Sequence, residues 1–154
     1  MRHLFLAMFL LWGGPLQAAD LKPFKSGSFA QILAENQNKP LLLHFWSISC
    51  PTCVAHLPAW KEVLAANPKL QVVFVSTDPI GQASAIKNRL KKNGLDNQAN
   101  YAFADSFVAK LQFEVAKDWR GELPFNVLVD QNGEKESLTG HLDTKVLAQW
   151  LDMQ

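Results

Sequence analysis

The sequence predicts an α/β fold built around a mixed sheet with a parallel core. Three mostly apolar runs of strand length, at 41–46, 70–76 and 125–129, are separated by segments with helical periodicity. Uninterrupted apolar runs are typical of strands that are buried on both faces, as in parallel sheets. The turn sequence 130–133 (Asp-Gln-Asn-Gly) follows the last run and predicts a hairpin, which adds an antiparallel strand at the edge.

The other elements follow from apolar periodicity and from breaks at Pro and Gly. Residues 22–27 are predicted to be a polar lead-in without regular structure. Helices are predicted at 28–36, from the cysteine pair to about 66, at 81–93, at 106–115 and at 144–153, and short strands at 101–103 and 135–139. Pro58 is expected to kink the helix after the cysteines because it cannot donate to the carbonyl of Val54. The last helix is expected to bury Val146, Leu147, Trp150 and Leu151.

Length and composition suit one globular domain. The chain has 154 residues, of which 48% are hydrophobic and 19% are charged. The chain has 15 basic and 14 acidic residues, which gives a net charge of +1. Nucleic-acid binding requires clustered basic residues in excess, so it is not expected.

The first 19 residues predict a secretory signal peptide. Arg2 provides a basic start, residues 4–12 are continuously apolar, and Gly-Gly-Pro at 13–15 precedes the small residues that a peptidase needs. Cleavage fits after Ala18 or Ala19, and retention as an uncleaved anchor is the alternative. The mature domain would then be 20–154, and an exported protein is free to form disulfides.

Cys50-Pro51-Thr52-Cys53 contains both cysteines of the chain, between a buried strand and a helix. A disulfide that closes so short a loop stabilises the fold little, so the pair is interpreted as redox-active. The helix start favours a thiolate at Cys50. Pro51 suits the first helical position. Cys50 is therefore the expected nucleophile and Cys53 the resolving cysteine.

Several segments carry a family resemblance. Residues 45–53 (FWSISCPTC) resemble the thioredoxin active site, and 70–78 (LQVVFVSTD) resemble the second core strand of TlpA/ResA-like proteins. Residues 78–120 are similar to the central insertion of that class, and 121–133 to its G-x-P block. The CPTC sequence also resembles that of the cytochrome c maturation thioredoxins. The resemblance covers about residues 24–153 and implies a thioredoxin-like three-layer sandwich.

The resemblance also implies roles for particular residues. Pro124 should be a cis-proline that faces the cysteine pair, and the Leu123 backbone should pair with an extended substrate. Leu123, Trp46, Pro51 and Thr52 are the expected substrate-binding residues, and Trp46 is also expected to pack beneath the active site. The chemistry needs no metal or other cofactor. The expected partners are a protein with a disulfide and an upstream membrane thiol-disulfide reductase, and the protein itself is expected to be a periplasmic monomer.

Two histidines depart from the family pattern. His44 lies six residues before Cys50, where thioredoxins carry a buried Asp and TlpA-like proteins often an Asn. His56 follows Cys53 by three residues, where ResA-like proteins tend to carry Glu. An imidazole can accept the proton of Cys53, or as imidazolium stabilise its thiolate, so both residues are candidates for tuning Cys53. His141 is assigned no role.

The sequence thus predicts an exported thiol-disulfide oxidoreductase. The family resemblance favours a reductase, and cytochrome c maturation is one process in which it could act. An oxidase or isomerase would use the same residues, because direction depends on reduction potential. A copper chaperone that uses Cys50, Cys53 and His56 is a different alternative, although copper-handling relatives usually place three residues between the cysteines. A thiol peroxidase is the weakest alternative, because the site lacks a Thr/Ser-rich peroxidatic loop.

Overall fold

One mixed sheet of six strands forms the centre of the protein in the computed structural model, which describes residues 19–153. The strands are β1 (Leu21–Phe24), β2 (Leu41–Trp46), β3 (Gln71–Pro79), β4 (Ala99–Phe103), β5 (Phe125–Val129) and β6 (Lys135–Thr139). Their order across the sheet is β1-β4-β3-β2-β5-β6. The first four strands are parallel, whereas β5 runs antiparallel to β2 and β6 antiparallel to β5. The predicted parallel core with an antiparallel hairpin is confirmed.

Helices cover both faces of this sheet and complete three layers. They are α1 (Ser28–Glu35), α2 (Pro51–His56), α3 (Trp60–Ala66), α4 (Ala83–Lys92), α5 (Val108–Val115) and α6 (Thr144–Asp152). Apolar residues of α1 and α5 pack on one face. Residues of α2, α3, α4 and α6 pack on the other face, which therefore carries the cysteine pair.

Strand β2 is buried along its whole length and contributes side chains to both core layers. Successive side chains of a strand point to opposite faces. Leu41, Leu43 and Phe45 accordingly pack under α1 and α5. Leu42 and Trp46 pack under the helices on the other side. His44 lies between them in the strand, so it faces the same layer as the active-site helix.

The prediction that residues 22–27 lack regular structure is wrong, because β1 covers Leu21–Phe24. This strand pairs in parallel with β4 at the edge of the sheet. Edge strands tolerate a proline such as Pro23, and four residues are too few to show a clear period. Strand β4 in turn lies between β1 and β3, so the segment that resembles a central insertion contributes a strand within the sheet.

The helix after the cysteines is divided at Pro58, as expected. A 3₁₀ turn at Leu57–Ala59 separates α2 from α3. Proline lacks the N–H that a continuous helix would need at this point.

The other boundaries agree with the predictions to within a few residues, but one inward position in α6 is wrong. Val146 is 44% exposed, whereas Leu147 and Trp150 are buried. Residues three apart share a helix face, and Val146 is one position off the face that Leu147 and Trp150 define.

The predicted signal peptide lies outside the described residues, apart from Ala19. Among residues 19–153, no helix combines the length and apolar character that crossing a membrane requires.

Phe24 tests whether the unpredicted strand β1 contributes to the core. Its ring is fully buried and contacts the rings of Phe45, Tyr101 and Phe103. We expect Phe24→Ala to lower the free energy of unfolding by about 3–5 kcal/mol, because it leaves a cavity between the sheet and α1. Urea denaturation measures this change.

Phe107→Ala provides the matched control, since Phe107 is 63% exposed. It should change the free energy of unfolding by no more than about 0.5 kcal/mol. Equal effects of the two substitutions would show that β1 does not stabilise the domain.

Candidate active site

The two cysteines form a disulfide at the start of α2. Their Cα atoms are 5.3 Å apart, because the first helical turn brings the fourth residue back beside the first. Cys50 immediately precedes Pro51, the first helical residue. The Cys50 Sγ accepts a hydrogen bond from the backbone N–H of Cys53 at 3.1 Å. The sulfur thus caps the helix that it precedes.

The two sulfurs differ in their access to a partner. Cys50 is half-buried, whereas Cys53 is completely buried. A partner protein can approach only the Cys50 member of this pair. The free N–H groups at the start of a helix favour negative charge on an adjacent sulfur. The arrangement therefore suits attack by Cys50 from the surface and by Cys53 from within.

A cis peptide bond joins Leu123 and Pro124, the geometry that the family resemblance implies. Pro124 is buried immediately before β5, which runs beside β2. The carbonyls on both sides of Leu123 are occupied. Glu122 O accepts from the Trp119 indole N–H at 3.0 Å, and Pro124 O accepts from the Gly140 N–H at 2.7 Å. These bonds hold the Leu123 segment between two fixed points.

The four predicted substrate-binding residues differ in exposure. Pro51 and Thr52 are exposed and Leu123 is half-buried, so all three are accessible. Trp46 is completely buried and packs in the same apolar layer as Cys53. The prediction that Trp46 contacts substrate must therefore be corrected, because this side chain supports the site from beneath.

The segment before Cys50 is tied to a buried carboxylate that sequence reasoning did not single out. Asp78 is 7% exposed and lies at the end of β3. Its Oδ1 accepts a hydrogen bond from Ser47 Oγ at 2.8 Å, and its Oδ2 accepts from the Ile48 N–H at 2.8 Å. Ser76 Oγ also donates to Oδ2 at 2.6 Å. Asp78 therefore anchors the segment that leads into Cys50.

His44 is buried and its tautomer follows from its partner. The Asn126 Nδ2 donates to the carbonyls of Leu138 and Gly140, so the Asn126 oxygen must face His44. His44 Nδ1 lies 2.7 Å from that oxygen and has to be the protonated nitrogen. The Nε2 of the neutral ring consequently carries a lone pair. Within residues 19–153, this Nε2 has no hydrogen-bond partner.

The pKa of His44 is lowered to about 4, chiefly by burial and to a smaller extent by the nearby imidazoles of His141 and His56. The hydrogen bond with Asn126 raises the pKa, but its effect is smaller than that of burial. His44 is therefore neutral at pH 7. Of the two chemical roles predicted for it, proton acceptor and cation, only the acceptor role is compatible with this pKa.

The fold brings His141 to the same place, although no role was predicted for it. The rings of His56, at the end of α2, and His141, in the loop before α6, stack with centroids 3.9 Å apart. Both line a cavity of about 20 Å³ together with His44 and Pro124. This volume suits one water molecule. Three imidazoles and the cis-proline thus meet at one cavity beside the active-site helix.

Sequence reasoning missed Asp78, Asn126 and His141 for different reasons. Asp78 follows directly after a buried strand, which is a detectable signal for a residue at the active edge of a sheet. Asn126 interrupts an apolar strand, which indicates a buried polar partner. His141 has no local signal, because only the packing of the loop before α6 brings it to His56.

The residues of the copper alternative do not form a metal site in this structure. In the described part of the chain, no three or more His, Cys, Asp or Glu side chains are grouped so as to hold a metal ion.

The family model described as thioredoxin-like matches residues 38–135 of this chain. The sporulation thiol-disulfide oxidoreductase A of Bacillus subtilis is 23% identical over 168 residues, covering 97% of this chain and 93% of that protein. The soluble secreted antigen MPT53 of Mycobacterium tuberculosis is 43% identical over 75 residues, which is 49% of this chain and 42% of the antigen.

The architecture is also similar to that of solved proteins. A secreted disulfide oxidoreductase of Mycobacterium tuberculosis, described as homologous to DsbE of Escherichia coli, superposes with a TM-score of 0.60 at 23% identity. The match covers 79% of this chain and 86% of that chain. StoA from Bacillus subtilis gives a TM-score of 0.56 at 22% identity, over 77% of this chain and 86% of its own.

The lowered pKa of His44 predicts a loss of stability in acid. The unfolded chain binds a proton at His44 as the pH falls through 6.5, whereas the folded protein resists it down to about pH 4. We expect this residue to cost the folded state about 3 kcal/mol between pH 7 and pH 4, from 1.36 kcal/mol for each pH unit between the two values. Urea denaturation across this range measures it.

His44→Asn should lose this part of the pH dependence, whereas His141→Ala should keep most of it, because burial and not His141 is the largest cause of the lowered pKa. Identical pH dependence in wild type and His44→Asn would contradict the assignment of His44 as a buried neutral imidazole.

Proposed function

Because this chain belongs to the thioredoxin-like family, in its TlpA/ResA-type redoxin branch, we propose that it is an exported protein-disulfide oxidoreductase that works as a reductase. Thiol–disulfide exchange is the activity of this class. The observation that carries the proposal is the unequal access to the two sulfurs, with Cys50 half-buried and Cys53 completely buried at a helix start.

The reaction begins with the reduced pair. The Cys50 thiolate attacks one sulfur of a substrate disulfide, and the other substrate sulfur leaves as a thiolate that takes a proton from solvent. Cys53 then loses its proton and attacks Cys50, which breaks the mixed disulfide and releases the second substrate thiol. The substrate gains two electrons, and the enzyme is left with the Cys50–Cys53 disulfide seen in the structure.

Substrate would bind across the surface between the cysteines and the cis-proline. An extended segment can pair with the backbone of Leu123, because the loop around it is held on both sides by the hydrogen bonds of Glu122 and Pro124. Pro51 and Thr52 are exposed next to Cys50 and complete this surface.

The location and partners are proposed from the predicted signal peptide and the relatives. Two similar proteins are described as secreted, which supports export of this chain to a periplasm. Outside the cytoplasm, the disulfide must be reduced again by a membrane thiol-disulfide reductase. We propose that the enzyme acts as a monomer on a protein disulfide, with apocytochrome c as one candidate substrate.

The neutral state of His44 supports reduction over the reverse reaction. A cationic imidazole beside the pair would stabilise the thiolate form and make the protein a better oxidant. With its pKa lowered to about 4, His44 carries no such charge at neutral pH.

We further propose that His44 and His56 help to deprotonate Cys53. The His44 ring packs against Trp60 and Phe74, which belong to the same apolar layer as Cys53, and its Nε2 lone pair is unused among residues 19–153. With its pKa lowered to about 4, His44 is a weak base, so we propose that it accepts the Cys53 proton only transiently and passes it on through the cavity that it shares with His56. His56 ends the helix that contains Cys53, and it lines the same cavity as His44.

Trapping with Cys53→Ala tests the proposed roles of the two cysteines. Without its resolving thiol, the enzyme should remain joined to its partner through Cys50. Expression of the exported full-length variant, followed by non-reducing electrophoresis and mass spectrometry, would detect and identify the adduct.

Cys50→Ala is the matched control and should trap little, because Cys53 is inaccessible to a partner protein. If Cys50→Ala trapped as well as Cys53→Ala, the assignment of nucleophile and resolving residue would be wrong.

The proposed role of the histidines is tested by the reaction of the reduced enzyme with DTNB, which releases one chromophore on attack by Cys50 and a second on attack by Cys53. We expect His44→Asn and His56→Ala to slow the second release about 10- to 100-fold near neutral pH, as general base catalysis contributes at least this much. The first release should keep its rate, because Cys50 is already favoured as thiolate.

Lys61→Ala, which removes an exposed cation from the neighbouring helix α3, controls for general effects of charge. If both histidine variants kept the wild-type pH–rate profile of the second release, the two residues would have no part in deprotonating Cys53.

A further inference from the structure

Asp78 belongs to neither the cysteine motif nor the cis-proline loop, yet it accepts hydrogen bonds from Ser47 and Ile48, shortly before Cys50. The bulge between Ser76 and Pro79 gives β3 two more residues than β4 has at the same point. Bulges redirect side chains. Here Asp78 lies against the loop at the end of β2, where Ser47 and Ile48 donate to its two oxygens at 2.8 Å each.

The hydrogen bonds around Asp78 have one consistent direction. Ser47 Oγ donates to Asp78 Oδ1, so the single hydroxyl hydrogen of Ser47 is used on Asp78. The Ser47 oxygen then accepts from the Ser49 N–H at 3.0 Å and must also accept from the Ser49 hydroxyl at 2.8 Å. The result is a chain of donors that runs from Ser49 through Ser47 to Asp78.

We propose that Asp78 is a positioning residue that turns the Ser49 hydroxyl hydrogen away from Cys50 and thereby makes the dithiol form of the enzyme a stronger reductant. Ser49 is exposed and is the residue next to the nucleophile. In the wild type its hydrogen is committed to Ser47, so it cannot donate to a Cys50 thiolate.

The consequence concerns the equilibrium between the dithiol and the disulfide. A donor to the Cys50 thiolate would stabilise only the reduced protein, since the disulfide carries no charge. Proteins with a stabilised reduced form are stronger oxidants. By withholding this donor, Asp78 leaves the reduced form with more driving force to give up its two electrons to a substrate disulfide. This inference rests on the proposed reductase function and names a residue that sets its direction.

Asp78→Asn should reverse the chain. The Ile48 N–H is a fixed backbone donor, so the oxygen of the introduced amide must take the place of Oδ2 and its NH₂ group must face Ser47. The Ser47 oxygen then accepts from that NH₂ group and its hydrogen turns to the Ser49 oxygen. The Ser49 hydroxyl hydrogen is then released, and we expect it to donate to the Cys50 thiolate, because Ser49 is the preceding residue and both side chains reach the surface.

The experiment is equilibration of the purified mature enzyme with mixtures of reduced and oxidised glutathione. Alkylation of free thiols and mass spectrometry then give the fraction oxidised. We expect Asp78→Asn to shift the equilibrium constant about 3- to 10-fold toward the dithiol, less than a buried hydrogen bond to a charged group gives, because the site is solvent-exposed. A constant within twofold of wild type would overturn the proposal.

A double-mutant cycle assigns the effect to the Ser49 hydroxyl. Ser49→Ala in the wild-type background should change the constant less than twofold, and in the Asp78→Asn background it should remove the shift. If the double variant kept the full shift of Asp78→Asn, the Ser49 hydroxyl would not be the group involved. A mere loosening of the loop would also leave the shift in the double variant, so the cycle separates the two explanations.

Asp118→Asn makes the same chemical change at an exposed carboxylate and should leave the constant unchanged.

The proposed function and this inference can fail separately. A strongly oxidising wild type would contradict the reductase function, whereas the response to Asp78→Asn is a difference between variants. Trapping by Cys53→Ala together with no response to Asp78→Asn would retain the function and reject the role of Asp78.

Discussion

The central position of β2 is the constraint on which the rest of the structure depends. It pairs in parallel with β3 and antiparallel with β5, and it is buried along its whole length. Its carboxyl end delivers Cys50, and the carboxyl end of β3 beside it delivers Asp78. The start of β5 delivers Pro124 on the other side. Because the two neighbours run in opposite directions, one sheet edge receives residues that are far apart in sequence.

Two buried polar side chains next to this edge, Asp78 and His44, are oriented by fixed hydrogen-bond partners. Asp78 accepts from two serines and a backbone N–H, and His44 donates to Asn126. A buried polar group without partners costs several kcal/mol, so such groups specify one arrangement of the chain around them. The orientation of the loop before Cys50 and the tautomer of His44 follow from these partners.

The two faces of the site have different polarity. On the side of β3, the hydroxyl groups of Ser47 and Ser49 lead to a carboxylate. On the side of β5, three imidazoles and Pro124 surround a small cavity. Cys50 lies next to the exposed Ser49, whereas the buried Cys53 lies in the apolar layer beneath. In the proposed reaction, this separation would let different residues tune the attack of Cys50 and the deprotonation of Cys53.

The sequence by itself determined the class of protein, because this class can be recognised from patterns of neighbouring residues. Apolar runs indicated the core strands, and the spacing of Cys50 and Cys53 after a buried strand indicated the chemistry. The edge strand β1 was missed, since a short strand with Pro23 has no readable period. Only the tertiary structure decided that Asp78 and His141 belong to the site and that His44 is neutral. Each of these depends on contacts between distant segments and on burial, neither of which a local pattern contains.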